Sequence, residues 1–365
     1  MRVLWVVRDD LDRHPGGDTT QIRRTAAALG GLGVRVEFAS DAAALSREFD
    51  LAHLFHVDRT WENLPVCRRI RAIGLPAVLS TIHWPADEFD RGGRVGVQGM
   101  LARALGGHRY QTLRGVQQFA LRALNTRSLR GWDPLIANFF AAVRFILETA
   151  RVILPNSAAE RDVLIRRFGI ARPAVIVPNA VDAVFAGAAQ PPEQSRHGVL
   201  CVGRIEPRKN QLALIEAMRG MEEPLTLVGR AGRFYGDYAK RCRRAAGARV
   251  SMLDWQPLDR LAAFYAAARV HACVSWYETP GLASLEAALC GCRLVVTPGG
   301  CTREYFGDDA HYASPDDPAS IRAAVESALR APPSSRLSQR VRSEYNWPAA
   351  ARATLSGYER ALRGE

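Results

Sequence analysis

The sequence contains very little lysine, no closely paired cysteines and no long hydrophobic run. Lys209 and Lys240 are the two lysines among 49 basic residues, so arginine supplies nearly all of the formal net charge of +12. The seven cysteines include no C-x-x-C pair, which excludes the usual zinc and dithiol motifs and predicts reduced, buried thiols. The longest apolar stretch, residues 135–147, is interrupted by Arg144 and falls short of the roughly 20 residues that a membrane-spanning helix needs.

The composition is that of a folded protein with an anionic partner. Hydrophobic residues make up 48% and charged residues 24% of the chain, which excludes a disordered protein. A length of 365 residues predicts two domains. The first apolar run, residues 3–7, is too short for the core of a signal peptide, so we expect a strand there and a cytoplasmic protein. No RNA-binding or zinc-finger pattern occurs, so the positive charge favours a phosphorylated ligand or an acidic membrane surface over nucleic acid.

Short runs rich in valine, isoleucine and leucine alternate with longer helical patterns in two successive series. The first series comprises residues 2–7, 35–40, 50–56, 76–83, 151–157 and 174–179. After a polar, proline-containing stretch, the second series comprises residues 199–205, 225–229, 249–255, 269–275 and 292–298. Near-continuous apolar strands that alternate with helices are typical of parallel sheets covered on both faces.

This pattern predicts an α/β protein with two Rossmann-like domains that face each other across a cleft. The N-terminal domain is expected over residues 1–190 and the C-terminal domain over residues 191–346. Residues 347–365 predict an amphipathic C-terminal helix. Because such folds bind ligands at the carboxyl ends of their parallel strands, residues that follow the strands are the candidates for the functional site.

Residues 91–150 predict a basic helical insertion in the N-terminal domain. Its first part, residues 91–130, holds eight arginines and no acidic residue. Four apolar residues follow helical spacing there: Leu113, Val116, Ala120 and Leu124. Such a helix is either a solvated surface or a docking element for an acceptor or an anionic membrane, where each basic residue contributes about 1 kcal/mol to binding.

The segment GRIEPRKN, residues 203–210, joins a predicted strand to a predicted helix. Phosphate ligands collect at this position in doubly wound folds. Arg204 offers a planar guanidinium for phosphate oxygens, and Lys209 offers a compact ammonium on a flexible stem. Arg208 suits a surface residue that caps the following helix. The segment therefore predicts a phosphate site formed by Arg204 and Lys209.

A second candidate segment, residues 277–300, follows another predicted strand. Glu278 lies in the loop, and the next helix is expected to begin near Gly281 and Leu282, whose backbone amides would offer a phosphate-binding helix N-terminus. Glu286 follows Glu278 by eight residues, or about 12 Å along a helix. Paired carboxylates of glycoside hydrolases are at most about 9.5 Å apart. The two glutamates therefore predict contacts to hydroxyl groups and not a hydrolytic pair.

The combination of GRIEPRKN with ETPGLASLE, which contains Glu278 and Glu286, resembles family 4 of the retaining glycosyltransferases with the GT-B fold. Further matches are PGGDTTQ after the first strand, PNS at residues 155–157, PNAVD at residues 178–182, and Glu304 in PGGCTREYF. The resemblance extends over nearly the whole chain. It implies a GT-B fold, in which two Rossmann-like domains are followed by a helix that returns toward the N-terminal domain.

The resemblance also implies a reaction and a set of roles. The reaction moves a sugar from a nucleoside-diphosphate sugar to an acceptor hydroxyl, with retention and without a metal or other cofactor. Arg204 and Lys209 are implied to bind the diphosphate, Glu278 the donor sugar and Glu286 the ribose. Other residues implied around the donor are Gly16, Gly17, Asn179, Gly203, Gly229, Arg230, Thr279, Pro280, Gly281 and Leu282. A polysaccharide, a lipid-linked sugar or a small glycoside would be the acceptor, in the cytoplasm or at the inner face of the cell membrane.

Three histidines close predicted strands. His83 ends the strand at residues 76–83, where the resemblance implies a histidine near the transferred sugar and therefore a catalytic position. A structural role is the alternative for His83. His53 and His56 close another strand, and structural roles are favoured for both.

Two other functions remain open. A nucleotide-sugar 2-epimerase shares the two-domain architecture, but it needs an acid–base set on the sugar ring, and the two combined motifs favour a transferase. A degenerate transferase that acts as a membrane-docked binding protein is disfavoured because all four motif residues are present: Arg204, Lys209, Glu278 and Glu286.

Overall fold

The chain divides into two compact units in the computed structural model. Unit 1 comprises Met1–Pro85, Leu101–Asn179 and Trp347–Glu365, and unit 2 comprises Ala86–Met100 and Ala180–Asn346. Residues 86–100, which the sequence assigned to the N-terminal domain, therefore cluster with the C-terminal one. The residues described are 1–13, 16–127, 129, 131–187, 191–232, 234–279 and 281–364. Pro280, named in the sequence analysis, and Arg130, one of the eight arginines counted there, lie outside them.

Unit 1 is built on a parallel sheet of five strands in the order β2-β1-β3-β4-β5. The strands are β1 (Arg2–Val6), β2 (Arg35–Ala39), β3 (Leu51–Phe55), β4 (Ala77–Ser80) and β5 (Val152–Ile153). The helices of the N-terminal half are α1 (Gly17–Gly30), α2 (Thr60–Ile73), α3 (Gly96–Thr126), α4 (Phe139–Thr149) and α5 (Ala158–Phe168). The last helix, α14 (Trp347–Arg363), packs against α1, β4 and β5 and completes unit 1.

One predicted strand of unit 1 is wrong. Residues 174–179 form a single isolated bridge, between Ile153 and Ala174, and no strand. Pro173 and Pro178 bracket this segment and lack the amide hydrogens that a longer ladder needs. The insertion is helical as predicted, since no described residue between 84 and 150 lies in a strand. Its long helix α3 is kinked at Gly106, where φ is 73°.

Unit 2 contains a parallel sheet of six strands in the order β11-β10-β9-β6-β7-β8. The strands are β6 (Val199–Val202), β7 (Leu225–Val228), β8 (Val250–Leu253), β9 (Val270–Cys273), β10 (Arg293–Val296) and β11 (Ala310–Tyr312). The helices are α6 (Ala183–Ala186), α7 (Gln211–Ala217), α8 (Gly236–Ala245), α9 (Leu258–Ala267), α10 (Leu282–Leu289), α11 (Thr302–Phe306), α12 (Pro318–Arg330) and α13 (Arg336–Glu344). The sequence missed β11, which has three residues and no apolar run.

Local signals explain where several helices begin and end. The side chains of Asn138, Ser157 and Asp317 accept amide hydrogens in the first turns of α4, α5 and α12. Two helices, α2 and α5, end at glycines with left-handed backbone conformations, Gly74 and Gly169.

Each sheet is buried between its helices, and the thiols are part of this interior. All seven cysteines are free and buried, which confirms the prediction of reduced, buried thiols. In unit 1 the Tyr358 hydroxyl accepts a hydrogen bond from Trp5 Nε1 at 2.9 Å and lies 2.7 Å from His53 Nδ1. Burial lowers the pKa of His53 to about 3, so this histidine is a neutral part of the core. No helix among the described residues is both long and apolar enough to cross a bilayer.

Candidate functional site

Two loops of unit 2 meet where the order of its strands reverses. Along the sheet, β7 and β8 follow β6 on one side, while β9, β10 and β11 extend on the other. The crevice between β6 and β9 is therefore the topological switch point, where doubly wound folds bind ligands. The loops that leave these strands carry the two predicted motifs. They are joined by a backbone hydrogen bond of 2.9 Å from Trp276 N to Arg208 O.

Lys209 and Glu278 form an ion pair across this switch point. Lys209 Nζ lies 2.5 Å from Glu278 Oε1, and Arg208 Nη1 lies 3.6 Å from the same oxygen. Burial alone would raise the pKa of Glu278, but Lys209 and Arg208 outweigh it and lower this pKa to about 2. Glu278 is therefore an anion at neutral pH, and its carboxylate accepts hydrogen bonds without being able to donate a proton.

Arg208 belongs to this cluster, and the prediction that it is a surface helix cap is wrong. Its guanidinium donates to the Tyr277 carbonyl at 2.9 Å and lies 3.3 Å from Glu206 Oε1. Only 22% of the Arg208 side chain is exposed, which reflects its packing over the Tyr277 ring. Sequence reasoning missed this role because the position of Arg208 before a helix does not reveal that it contacts the distant loop of Glu278.

Arg204 is separate from the Lys209 and Glu278 pair. Its side chain is 57% exposed, with a single 3.5 Å approach of Nε to Glu206 Oε2. The backbone beneath it is held by Gln211, whose amide donates to the Arg204 carbonyl at 2.9 Å. The guanidinium is thus accessible and its main chain is anchored.

Gly203 and Gly229 lie against each other at the ends of β6 and β7. Their φ angles are 149° and 150°, and a Cβ at Gly229 would lie 2.0 Å from the Gly203 carbonyl oxygen. Any side chain at Gly229 would therefore displace the start of the loop that carries Arg204. Arg230 follows on the outside of the sheet and is largely exposed, with Nε 2.8 Å from Asp254 Oδ1.

The main chain of Glu278 is held by the glycines that follow β10. The Glu278 amide donates to Gly299 O at 3.1 Å, and the Cys301 amide donates to Glu278 O at 2.8 Å. A Cβ at Gly300, where φ is 93°, would lie 1.9 Å from Glu278 O. The sequence offered a signal in the PGG segment after a strand, but it did not reveal that these glycines support Glu278.

Helix α10 begins at Leu282, as predicted, and carries Glu286 on its second turn. Gly281 is its N-cap, with φ 94°. Burial raises the pKa of Glu286 to about 7, although the hydroxyl of Tyr265, which donates to Oε2 at 2.9 Å, lowers it. The two predicted glutamates therefore differ in charge, since Glu286 titrates near neutral pH. Thr279 follows Glu278 in the same loop.

Residues 89–94 contribute to unit 2 in a way that the sequence did not predict. Phe89–Gly93 forms a π-helical turn, and a Cβ at Gly93 would lie 2.2 Å from Trp276 Nε1. Asp90 and Arg94 form a buried ion pair, with 2.6 Å between Oδ1 and Nη2. This turn packs on Trp276, two residues before Glu278, and therefore supports the loop of the candidate site.

The other predicted residues lie in unit 1. Gly16 precedes α1 with an extended backbone, φ −149°, and Gly17 is the first residue of that helix. His83 follows β4, is 5% exposed and has its ring 5.6 Å from that of Phe168. Asn179 is 4% exposed. These residues come from separate loops, and no contact among them was predicted.

Unit 1 has its own charged cluster at a switch point, between β1 and β3. Arg8 Nε lies 2.8 Å from Asp18 Oδ2, and His56 Nε2 lies 3.2 Å from the same oxygen. Burial opposes ionisation of Asp18, but His56 and Arg8 hold its pKa well below the usual range. The sequence missed this cluster. Among the described residues, no group of three His, Cys, Asp or Glu side chains is arranged to hold a metal ion.

Comparison with known proteins finds similarity to glycosyltransferases in part of the chain. Residues 196–331, less than half of the chain, match the model of the family described as glycosyl transferases group 1. Glycogen synthase of Mycobacterium tuberculosis is 29% identical over 256 residues, which cover 64% of this chain and 61% of that relative. The match therefore spans about three fifths of the relative's length.

Two solved structures share the fold. Sucrose-phosphate synthase of Thermosynechococcus elongatus matches with a TM-score of 0.74 and 17% identity over 100% of both chains. The Anabaena protein HepE, solved with UDP and glucose, matches with a TM-score of 0.64 and 16% identity over 98% of both chains. These likenesses confirm the predicted fold class, an α/β protein of the GT-B type with two parallel sheets.

Proposed function

We propose that this protein is a glycosyltransferase that moves a sugar from a nucleoside-diphosphate sugar to an acceptor hydroxyl. One observation carries the proposal. Lys209 and Arg208 converge on the carboxylate of Glu278 at the switch point of the unit whose sequence matches group 1 glycosyltransferases. HepE, whose fold this chain shares, has also been solved with UDP-glucose, so UDP-sugars are the first class of donor to test.

The chemical demand of this reaction is to stabilise the departing diphosphate. Arg204 is exposed and can place its planar guanidinium on phosphate oxygens. Lys209 adds a compact positive charge that can be shared between Glu278 and the diphosphate. Fixed charges of this kind act most strongly as negative charge develops on the leaving group. The N-terminus of α10 adds backbone amides at Gly281 and Leu282.

The ionised Glu278 suits recognition of the donor sugar. Since its pKa is about 2, it accepts hydrogen bonds from sugar hydroxyls and cannot act as a general acid at neutral pH. We propose retention by attack on the face that the diphosphate leaves, which needs no enzymatic nucleophile. Glu286 binds the ribose, and Gly203, Gly229 and Arg230 line the nucleotide. No metal is required, so activity should persist in EDTA.

The roles proposed for residues of unit 1 and the nature of the acceptor rest on the family resemblance. It assigns Gly16, Gly17 and Asn179 to positions around the donor and His83 to the transferred sugar. The acceptor is a sugar hydroxyl, either free, on a polysaccharide or on a lipid-linked glycan. Closure of the protein around the donor would exclude water and limit its hydrolysis.

The test measures release of nucleoside diphosphate from a panel of nucleotide sugars with simple acceptors. Lys209→Ala and Glu278→Ala should each lower turnover by about 100-fold or more. Lys240→Ala is the matched control, because the other lysine of the chain is 65% exposed and pairs with Asp237 on the surface of α8. A wild type that turns over no donor, or full activity in either variant of the ion pair, would refute the proposal.

The same assay separates the rival enzyme. A 2-epimerase would convert the donor into its epimer without an acceptor, which chromatography of the sugar nucleotide detects. A non-catalytic binding protein would bind the donor and release nothing. The pairing of Glu278 with two cations favours transfer, because a carboxylate with a pKa of about 2 cannot act as a general acid at neutral pH and is a weak base for the proton transfer that epimerisation needs.

We further propose that α3 docks on an anionic lipid surface. One face of this helix is buried through Gly115 and Phe119, which lie one turn apart, and Phe119 is 4% exposed. The opposite face exposes three leucines, Leu113, Leu121 and Leu124, at 41%, 44% and 74%. Of the apolar stripe expected from the sequence, Leu113, Ala120 and Leu124 are exposed and can enter a lipid interface, whereas Val116 packs against the core of unit 1.

Arginines flank this leucine face. At 100° per residue, Arg109 lies on one side of the leucines and Arg114 on the other, and both are exposed. No acidic residue occurs between residues 91 and 130 to neutralise them. Leucines between arginines complement a membrane with anionic headgroups, where both kinds of side chain find partners.

Flotation with vesicles of phosphatidylglycerol and phosphatidylcholine tests the docking proposal. We expect binding that weakens at high salt and is lost in both Leu121→Gln/Leu124→Gln and Arg109→Gln/Arg114→Gln. Leu32→Gln, at a leucine that is 42% exposed elsewhere in unit 1, is the matched control. No binding overturns the proposal. Loss with the arginine variant alone would refute the insertion of the leucines into the lipid interface.

A further inference from the structure

Glu160 is a fully buried carboxylate that the proposed reaction does not use. It is the third residue of α5, where Ser157 and Glu160 have the spacing of a capping box. Ser157 Oγ accepts the Glu160 amide hydrogen at 3.0 Å, as this spacing predicts. The Glu160 side chain is 0% exposed and reaches the loops that follow β4 and β5. Burial raises its pKa to about 7, although its hydrogen-bond donors lower it.

One carboxylate oxygen of Glu160 accepts hydrogen bonds from the two residues on either side of Ile82, which has an unusual backbone conformation. Ile82 has φ 42°, which a β-branched side chain rarely adopts. Glu160 Oε1 accepts the Thr81 hydroxyl at 2.5 Å and the His83 amide at 2.7 Å. Two hydrogen bonds, one on either side of Ile82, hold the turn in this conformation, which surrounding contacts must maintain.

The other oxygen connects the same turn to the start of α1. Glu160 Oε2 accepts the Asn156 amide at 2.7 Å, and Asn156 Oδ1 accepts from Gln21 Nε2 at 3.2 Å. Gln21 is buried and lies on α1, four residues after Gly17. The carboxylate therefore links the segments that follow β1, β4 and β5, all at one edge of the sheet of unit 1.

We propose that Glu160 is a positioning residue, which fixes the orientation of His83 relative to the first turn of α1. Because its side chain is enclosed, it cannot touch a substrate and acts only through Thr81, His83 and Asn156. The inference rests on the proposed function, in which His83 contacts the transferred sugar. To that proposal the inference adds Glu160 as the residue that holds His83 in position.

Steady-state kinetics test this role through a double-mutant cycle. Glu160→Gln places an NH₂ group against the Asn156 amide, so kcat should fall by about 10-fold to 100-fold while the donor KM stays unchanged. The His83→Ala/Glu160→Gln enzyme should be no slower than His83→Ala, because the two changes act through one residue. Asp162→Asn, an exposed carboxylate on the same helix, should keep full activity. Additive losses, or a loss confined to KM, would overturn the inference.

A second measurement does not depend on activity. In ¹⁵N–¹H spectra of the imidazole rings, Glu160→Gln should move the His83 signals and leave those of His53 unchanged, since His53 bonds to Tyr358 and Ser80. Thr81→Val removes only the hydrogen bond from the Thr81 hydroxyl to Glu160. It should therefore move the His83 signals less than Glu160→Gln does and disturb folding less. If wild type turns over no nucleotide sugar, the proposed function fails, yet unchanged His83 signals would separately refute the role of Glu160.

Discussion

Replacing Lys209 by alanine probes the central contact of the candidate site. The change removes the ammonium 2.5 Å from Glu278 Oε1 and leaves Arg208 Nη1, 3.6 Å away, as the cation facing that oxygen in the described site. Glu278 is 8% and Lys209 15% exposed, so solvent replaces the lost partner poorly. We therefore expect effects on both the free energy of unfolding and turnover.

The magnitude follows from the pKa of Glu278. A tenfold change in proton affinity is worth about 1.4 kcal/mol. Lowering this pKa from 4.5 to about 2 thus stabilises the folded anion by roughly 3 kcal/mol. Lys209 and Arg208 share this contribution, so Lys209→Ala should lower the free energy of unfolding by about 1 to 2 kcal/mol at pH 7.

The pH dependence of that loss has a defined sign. A depressed pKa contributes stability above the ordinary value of 4.5, and the contribution disappears as the pH falls toward 2. The stability difference between wild type and Lys209→Ala should therefore be greatest at neutral pH and shrink below pH 4.5. Urea unfolding at pH 7, 5, 4 and 3, with Lys240→Ala as control, measures it. A difference that is constant with pH would refute the electrostatic reasoning.

Turnover of the donor gives the second readout of the same perturbation. Loss of one fixed charge that stabilises a leaving group costs about 100-fold to 1,000-fold in kcat. Lys209→Arg keeps the charge, yet the lysine stem passes a glycine, since a Cβ at Gly203 would lie 3.7 Å from Lys209 Cε. The wider guanidinium must displace either Glu278 or the backbone at Gly203, so we expect kcat to fall by about tenfold. Full activity of Lys209→Arg would show that the site tolerates any cation.

Three further predictions concern other parts of the molecule. Gly93→Ala should lower donor turnover, because its Cβ would meet Trp276 at 2.2 Å, whereas Gly236→Ala, in open space, should not. Glu286→Gln should gain stability relative to wild type as the pH rises from about 4.5 to 7 in denaturant titrations, since the raised pKa makes ionisation unfavourable in the folded state. Equal pH profiles would contradict this cause. Tyr358→Phe removes the hydroxyl shared by a buried tryptophan and a buried histidine and should cost about 2 kcal/mol or more of unfolding free energy. An unchanged melting temperature would refute it.

Local sequence patterns were sufficient for most of the fold and for the position of the motifs. The strands of both units are runs of β-branched and apolar residues, and such runs report burial on both faces of a parallel sheet. The strand β11 carries no such run, and residues 174–179 carry one without forming a strand. Both segments lie at the edge of a sheet, where burial is incomplete. Whether a strand forms there depends on pairing with the neighbouring strand more than on amino-acid composition.

Contacts between distant segments limited what could be inferred about the site. Lys209 and Glu278 were predicted because each follows a strand, and adjacent parallel strands bring their carboxyl ends together. Arg208 was misjudged, and the support of Trp276 by Gly93 was not foreseen. These contacts depend on which loop packs over which strand end, and neither periodicity nor spacing encodes that choice.

Three buried glutamates show why residue type alone does not define a role. Glu278, Glu286 and Glu160 all lose water, which raises the pKa of each carboxyl. Two cations reverse the effect at Glu278 alone, whereas the hydrogen bonds that Glu286 and Glu160 accept come from neutral hydroxyl and amide donors and leave both pKa values near 7. The sequence motif treats Glu278 and Glu286 alike, but of these two only Glu278 remains an anion across the neutral pH range. A permanent anion beside Lys209 keeps that ammonium oriented in the free protein, and this preorganisation is what the proposed stabilisation of a departing diphosphate would require.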